Sequence, residues 1–480
     1  MKFNKIALAA CLAATGLSAN AAMTPAAAAL VSQATASGQI VFISGASAVQ
    51  KGFQQLVSNM VTNDVYFNND GVTNINGSGY VAVAGNLSAA TGTWAAGSAV
   101  IVIYRNSGGS VYGVNPVARN QAIQSLLVDS TCGSVGSGTA AAPYKCTSSA
   151  ATTRVPDAGM SDVAPVFFTN PVNTEGEVAD TALTAAERAL LTAKPMYAQA
   201  FGIPVTKNVE STATLNRATV AAIMSGQIAD WASVAGTTTG GDIVICRRTP
   251  GSGSQAVMNL WAGNYPCNDS AQQFPLNRDD SGAWNPTTRT FTAANGAGAT
   301  IVIENDSSGA VRSCLDKAVT GGTYVAKDRS GANVTVDFGA GGYKAIGVLS
   351  LDSLGSSLTT GNWQFRSLNG AGQITGDGLS TTVGPVTTGS GTFPTVAALN
   401  TGDWDMQGWT SFNIPTRTTG AKLAFVNSFL AAAQNPTTLA AVKETKWTAS
   451  AIPDGNNAGT QTLNVSYVGG NQCAPLNRNY

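Results

Sequence analysis

The sequence contains no histidine, and Asp, Glu, Lys and Arg together make up only 11% of its 480 residues. Without an imidazole, a Ser-His-Asp triad, a histidine-ligated zinc and proton shuttling by a group that titrates near neutrality are all excluded. A soluble domain ordinarily carries about 25% charged residues, so this surface is built from Ser, Thr, Asn, Gln and Gly instead. The 26 basic and 26 acidic residues cancel. No broad electrostatic field is left to attract nucleic acid or anionic lipid, and a ligand site must depend on a few local charges. Long apolar runs are missing too. Beyond the N-terminus no stretch approaches the ~18 consecutive apolar residues of a membrane helix, so no stable membrane insertion is expected. What is present is 44% hydrophobic residues over a length that suits more than one domain.

At the N-terminus, Lys2 and Lys5 precede an apolar run from Ile6 to Leu17 and then Ala19-Asn20-Ala21. That is the order of a secretory signal, with cleavage expected near Ala21 and a periplasmic or extracellular mature protein. Leu8-Ala9-Ala10-Cys11 matches a lipoprotein processing box, but the apolar core between Lys5 and Cys11 is too short, so Cys11 is expected to leave with the signal. Six cysteines then remain: Cys132, Cys146, Cys246, Cys267, Cys314 and Cys473. None forms a CxxC pair, which in an oxidising compartment favours disulfides over zinc or redox catalysis. Sequence proximity suggests Cys132 with Cys146 and Cys246 with Cys267, leaving Cys314 for Cys473.

Short apolar strands alternate with helix-like stretches, the rhythm of an α/β protein. Ile40 to Ser44, Ser98 to Arg105, Ile243 to Cys246 and Tyr343 to Leu351 read as strands. Helices are expected over Val49 to Val57, Asn120 to Val128, Leu215 to about Gly226, and from the Gly/Ser turn at 251–254 through Leu260. Leu423, Val426, Leu430 and Ala433 mark a late one. Thr184-Ala185-Ala186-Glu187 has the form of a capping box opening a helix through Leu191. Residues 66–97 and 366–392, rich in Gly, Ser, Thr and Asn, read as loop insertions forming surface hairpins.

Three Gly/Ser turns each follow an expected strand: Ser44-Gly45-Ala46-Ser47, Ser107-Gly108-Gly109-Ser110 and Gly251-Ser252-Gly253-Ser254. Backbone N–H groups in such a turn, the positive end of a following helix and serine hydroxyls together receive an anion. Arg248 stands just before the third turn, and its planar guanidinium matches two oxygens of a phosphate-like ion. Its neighbour Arg247 is expected on the other face of the strand. Asp162, in Gly159-Met160-Ser161-Asp162-Val163-Ala164-Pro165, suits a ligand that carries a proton. A carboxylate accepts but cannot donate, so it rewards hydrogen phosphate and penalises fully ionised sulfate.

At these residues the chain resembles the periplasmic phosphate-binding proteins of Pst-type ABC importers. Four blocks match in the family's order. Gly45-Ala46-Ser47-Ala48 is similar to the first loop, which implies a hydroxyl contact from Ser47 and a backbone N–H from Ala48. Tyr104 to Gly113 is similar to the second, with Ser107 or else Ser110 as the hydroxyl contact. Ser161-Asp162-Val163-Ala164-Pro165 resembles the block whose aspartate accepts the phosphate proton. Arg248-Thr249-Pro250-Gly251-Ser252-Gly253-Ser254 resembles the block that implies contacts from Arg248, Ser252, Gly253 and Ser254. Pro250 stands where the family has an aspartate paired with the arginine, which implies a looser hold on Arg248. Thr214 to Trp231 and Tyr343 to Val348 resemble scaffold segments, so the likeness runs over roughly residues 38–435.

The resemblance implies a type II periplasmic binding-protein fold, with two α/β lobes joined by crossover strands and a ligand cleft between them. The expected division is a signal peptide over 1–21, a first lobe over 22–198, a second over 199–350, and a return to the first over 351–480. The expected function is capture of an oxyanion, foremost inorganic phosphate, for an ABC permease by a monomeric, non-enzymatic protein without cofactor or metal. The low charge and the insertions keep open a surface or extracellular protein that uses the same fold for scavenging or adhesion.

Overall fold

In a computed structural model of the chain, the described residues are 23–478 apart from 72–73, 134, 170–172, 175–180, 269–274, 356–360, 377–385, 444 and 454–460. The signal segment through Ala21, with Cys11, lies outside them. Two mixed sheets organise the molecule, each flanked by helices.

The β-branched run Ile40–Gly45 is the axis of the first sheet, parallel to Ala99–Arg105 on one side and to Ala158–Ser161 on the other. Gln407–Pro415 continues the sheet antiparallel to Ala158–Ser161, and Leu191–Gly202 pairs with it beyond. The helix Pro25–Ala36 covers one face. Thr24 caps its N-terminus, Pro25 occupies its first turn, and Ala27, Leu30, Val31 and Ala34 are its buried stripe. The helices Gln50–Met60 and Gly420–Gln434 cover the other face, with Phe53 stacked on Tyr104 and Phe429 packed at a tilt against Phe53 and Phe412.

The second sheet runs Ile301–Asn305, Ile243–Arg248, Lys344–Gly347, Pro204–Thr206, Trp363–Phe365, and its first three strands are parallel. The chain passes between the sheets four times, at 202–204, at 347–349, between Ser350 and Trp363 and between Phe365 and Gln407; the first two passages are the short ones. Leu191–Gly202 ends in the first and Pro204–Thr206 begins in the second, while Lys344–Gly347 lies in the second and Leu349–Ser350 pairs with the first. Tyr343–Leu351 is therefore a crossover rather than one continuous strand. Trp363–Phe365 and the hairpin Gly370–Ile374/Thr387–Gly389 pair with elements of the second lobe, so the chain revisits that lobe after residue 351.

Three larger expectations need correction as well. The segment 66–97 is not a surface hairpin, because Tyr80–Leu87 is a buried strand between Val61–Asn68 and Ala99–Arg105. Its Ala82 and Ala84 pack towards the N-terminal helix while Val81 and Val83 face the opposite core; small residues hid the alternation. Residues 120–128 are extended, not helical. Ile123–Gln124 pairs with Thr153–Arg154, and Leu127 N–H donates to Thr147 O at 2.8 Å. The apolar spacing of Ile123 and Leu126 serves an extended segment equally well, and pairing with residues 147–154 decides between the two.

The disulfides are the third. Cys132–Cys146 is present, but Cys246 bonds Cys314 and Cys267 bonds Cys473, with Cα–Cα distances of 5.9 and 5.5 Å. Cys246 lies on the strand Ile243–Arg248 of the second sheet, beneath the helix Ser308–Thr320, which carries Cys314. Cys267 lies past the end of the helix Gly253–Gly263, beyond reach of that face. The capping box is present, but its helix spans only Ala185–Ala189 before the strand at Leu191 begins.

Candidate functional site

Every strand that feeds the cleft points its carboxyl end into it: Gly45, Arg105, Ser161, Arg248 and Asn305 are terminal residues of parallel strands. Open α/β sheets bind ligands at such edges, because the loops and helix N-termini that follow converge there. The two lobes touch. Val111 N–H donates to Gly251 O at 2.9 Å, Ser254 Oγ donates to Asp162 Oδ2 at 3.0 Å, and the hydroxyls of Ser47 and Ser308 lie 3.3 Å apart. Glycine is required at two close approaches, one within the first lobe at Gly45 and one between the lobes at Gly253. A Cβ on Gly45, where φ is +139°, would lie 1.8 Å from Met160 O, and one on Gly253 would lie 2.3 Å from Ser110 Oγ and 2.7 Å from Asp162 Cβ.

Asp162 is 1% exposed. Its backbone N–H donates to Ser110 Oγ at 3.3 Å, and Oδ1 has no hydrogen-bond partner among the described residues. Burial pushes its pKa up to about 6; the Ser254 hydrogen bond and the charge of Arg248 pull it down, Asp352 raises it again, and the Ser110 hydroxyl lowers it. Desolvation wins because the guanidinium is not in direct contact.

Arg248 is also 1% exposed. Its Nε donates to Asn305 O at 3.1 Å, Nη2 to Asp306 O at 2.7 Å and Nη1 to Ser308 Oγ at 3.4 Å. Neutral acceptors from the turn at 305–308 thus hold the side chain where Pro250 offers nothing. These three acceptors are neutral oxygens, which orient the guanidinium without cancelling its charge. Arg247 turns away as expected, towards Leu276 O and the buried Glu304–Arg329 pair.

Ser252 caps the helix Gly253–Gly263, its Oγ accepting from Gln255 N–H. The first-turn N–H groups of that helix have no acceptor within it and lie against Ser110 and Asp162. Ser47 and Ala48 form the single turn Ser47–Val49 ahead of the helix Gln50–Met60.

The expected residues therefore fall into two groups. Asp162, Ser252, Gly253 and Ser254 form an inner group with Ser110, which is buried; Arg248 joins it to the rest through Ser308. Ser47 and Ser107 instead line a cavity of about 260 Å³ between the lobes, along with Lys51, Ser308, Arg312 and Lys327. Sequence reasoning missed Ser308, Arg312 and Lys51. Ser307-Ser308-Gly309 repeats the strand, Gly/Ser turn and helix pattern of the other three turns, with Ser307 as its cap and Arg312 one turn on, so the signal for two of them was there. Lys51 had none, because its ammonium reaches the cleft only through its position at the second residue of the helix Gln50–Met60, donating to Asp352 O at 2.5 Å.

Residues 140–363 match the model of a PBP superfamily domain, a span that includes Asp162 and the Arg248 to Ser254 block. This agrees with the resemblance drawn from the four sequence blocks. Solved structures similar to the chain include PstS from Borrelia burgdorferi, at 12% identity and a TM-score of 0.35, covering 85% of this chain and 98% of that one. A putative phosphate ABC transporter substrate-binding protein with bound phosphate from Clostridium perfringens is similar at 11% identity and a TM-score of 0.41, covering 84% and 98%. A phosphate-binding protein from Stenotrophomonas maltophilia is similar at 13% identity and a TM-score of 0.36, covering 85% and 90%. No curated protein matches the chain.

Proposed function

We propose that the protein is an exported substrate-binding protein that captures an oxyanion, foremost phosphate, by closing its two lobes, and passes it to an ABC permease. The observation that carries the reading is Asp162, a buried carboxylate whose Oδ1 has no donor, set beside Ser254, Gly253 and Arg248 at the meeting of the lobes. A buried acceptor left unpaired costs about 1–3 kcal/mol. Hydrogen phosphate supplies the missing proton while its other oxygens take hydroxyls, helix N–H groups and the guanidinium. Sulfate supplies none. Export is supported by three disulfides among the described residues. No described helix is long and apolar enough to cross a membrane. Delivery to a permease rests on the likeness of the four sequence blocks.

The test is a thermal-shift and calorimetric comparison of phosphate, arsenate, sulfate and molybdate. Phosphate at ~100 times its dissociation constant should add about 2.7 kcal/mol of stability, and sulfate at the same concentration far less. Sulfate binding as tight as phosphate overturns the reading.

A second prediction isolates lobe closure. In Gly253→Ala the new methyl group meets Ser110 and Asp162 of the opposite lobe, so the fold survives and the closed form does not. Overpacking of this kind costs about 1–3 kcal/mol, so phosphate affinity should fall ~10-fold while the ligand-free unfolding temperature stays unchanged. Calorimetric titration and scanning calorimetry measure the two quantities separately.

A further inference from the structure

The bridge Cys267–Cys473 joins the lobes. Cys267 follows the helix Gly253–Gly263, whose other end carries the Ser252–Ser254 turn of the cleft. Cys473 lies in the turn of the C-terminal hairpin Val465–Tyr467/Leu476–Arg478. That hairpin is fastened to the first lobe: Asn464 N–H donates to Asn400 O at 2.7 Å, Leu463 N–H donates to Ala451 O at 2.9 Å, and the Tyr467 ring packs edge-on to Trp409 at 4.9 Å. Ala449–Ser450, just before it, pairs with Leu191–Gly202 of the first sheet. Beside the bridge the lobes are parted by a cavity of about 550 Å³ lined by Leu260 and Trp261 from one side and Asp405, Gln407 and Tyr467 from the other. Trp261 Nε1–H donates across the seam to Asp405 Oδ1 at 2.8 Å.

The three bridges differ in access. Cys246 and Cys314 are 0% exposed and Cys132 and Cys146 are 4% and 3% exposed, whereas Cys473 is exposed and Cys267 half-buried. Thiol–disulfide exchange begins with a thiolate reaching a sulfur atom, so access selects which bridge reacts. The two enclosed bridges staple one lobe each. The exposed one ties the two lobes together.

We propose that Cys267–Cys473 is a thiol–disulfide exchange site for an extracytoplasmic dithiol, and that its state sets how far the cleft opens. One thiolate of the dithiol attacks the bridge, forms a mixed disulfide and releases the other cysteine as a thiolate, which takes up a proton. The second thiol of the reductant resolves the mixed disulfide. The protein then holds two thiols and the reductant is left as its own disulfide. With the bridge intact, bending of the crossover strands at 202–204 and 347–349 cannot carry the end of the helix Gly253–Gly263 away from the C-terminal hairpin. The widest open states are thereby removed from the ensemble and the closed fraction rises. Reduction restores those states and speeds ligand escape.

The test titrates the native protein with dithiothreitol, alkylates with iodoacetamide and maps the peptides, alongside small-angle scattering of the oxidised, reduced and Cys267→Ser/Cys473→Ser proteins without ligand. Cys267 and Cys473 should be alkylated at dithiothreitol concentrations that leave the other four cysteines paired. The radius of gyration should increase in the reduced protein and in the variant alike, and phosphate dissociation should quicken ~10-fold. Simultaneous loss of all three bridges, earlier loss of an enclosed one, or an unchanged radius overturns the proposal. A protein that binds no phosphate in either state defeats the reading of the cleft, while the alkylation and scattering results still decide this one.

Discussion

Replacing Arg248 by alanine should raise the dissociation constant for phosphate by roughly a hundredfold or more, the scale of the 2–5 kcal/mol lost when one partner of a buried hydrogen-bonded charge pair is truncated. The guanidinium is enclosed, and the carbonyls of Asn305 and Asp306 and the hydroxyl of Ser308 accept from it. These neutral oxygens orient it without cancelling its charge. Arg248→Lys should recover only part of the affinity, because an ammonium cannot hold two carbonyls and present a planar pair of donors at once. Calorimetric titration measures both variants, with circular dichroism as the check on folding. A change of less than about threefold in Arg248→Ala would remove this side chain from the site.

Asp162→Asn should have opposite effects on function and on stability. One unpaired buried acceptor is worth about 1–3 kcal/mol, roughly 5- to 150-fold in affinity, and that margin separates phosphate from sulfate in the wild type. An amide presents a donor as readily as an acceptor, so the preference should collapse towards parity as phosphate weakens and sulfate gains.

In the ligand-free protein the same substitution should stabilise the fold above pH 6. Burial raises Asp162 from 3.8 to about 6, so the folded chain keeps the proton over a range in which the unfolded chain has lost it. Below about pH 4 both states are protonated and the group has no effect on stability. Between about 4 and 6 the unfolded state ionises first and stability falls; above about 6 the full cost of about two pH units, ~3 kcal/mol, persists. Unfolding midpoints of wild type and Asp162→Asn should therefore converge at pH 3.5 and diverge by pH 7, the variant being the more stable. Parallel curves across that range would show that Asp162 is not desolvated in the ligand-free protein.

Much of the proposed site could be marked before any fold was known. Strand, Gly/Ser turn and helix is a local pattern, so Ser47, Ser252 and Ser254 could be marked from short windows, as could Arg248 at a strand's end. Between Ser107 and Ser110, four residues from strand to short helix, local pattern could not choose. The structure sets Ser110 against Asp162 and Gly253 and leaves Ser107 on the cavity rim, because the two glycines at 108 and 109, both with positive φ, carry the chain across to Gly251. The hold on Arg248 was not legible, since its acceptors lie some 57 residues or more further on. The cysteines make the same point. Separation along the chain favoured Cys246–Cys267, whereas a strand and the helix packed on it decide for Cys246–Cys314.

The absence of histidine and the scarcity of charge, read from composition alone, determined that this protein works without an imidazole and that any site on it must be built from neutral donors and a very few ionised groups. The sequence determined as well which turns could receive an anion, because N–H presentation at a helix start depends on neighbouring residues only. Only the tertiary structure decided which turns face one another, how Asp162 came to be buried with an oxygen unpaired, and that one disulfide ties lobe to lobe. Burial, desolvation and interlobe distance are properties of surfaces brought together from distant parts of the chain, and no local pattern carries them.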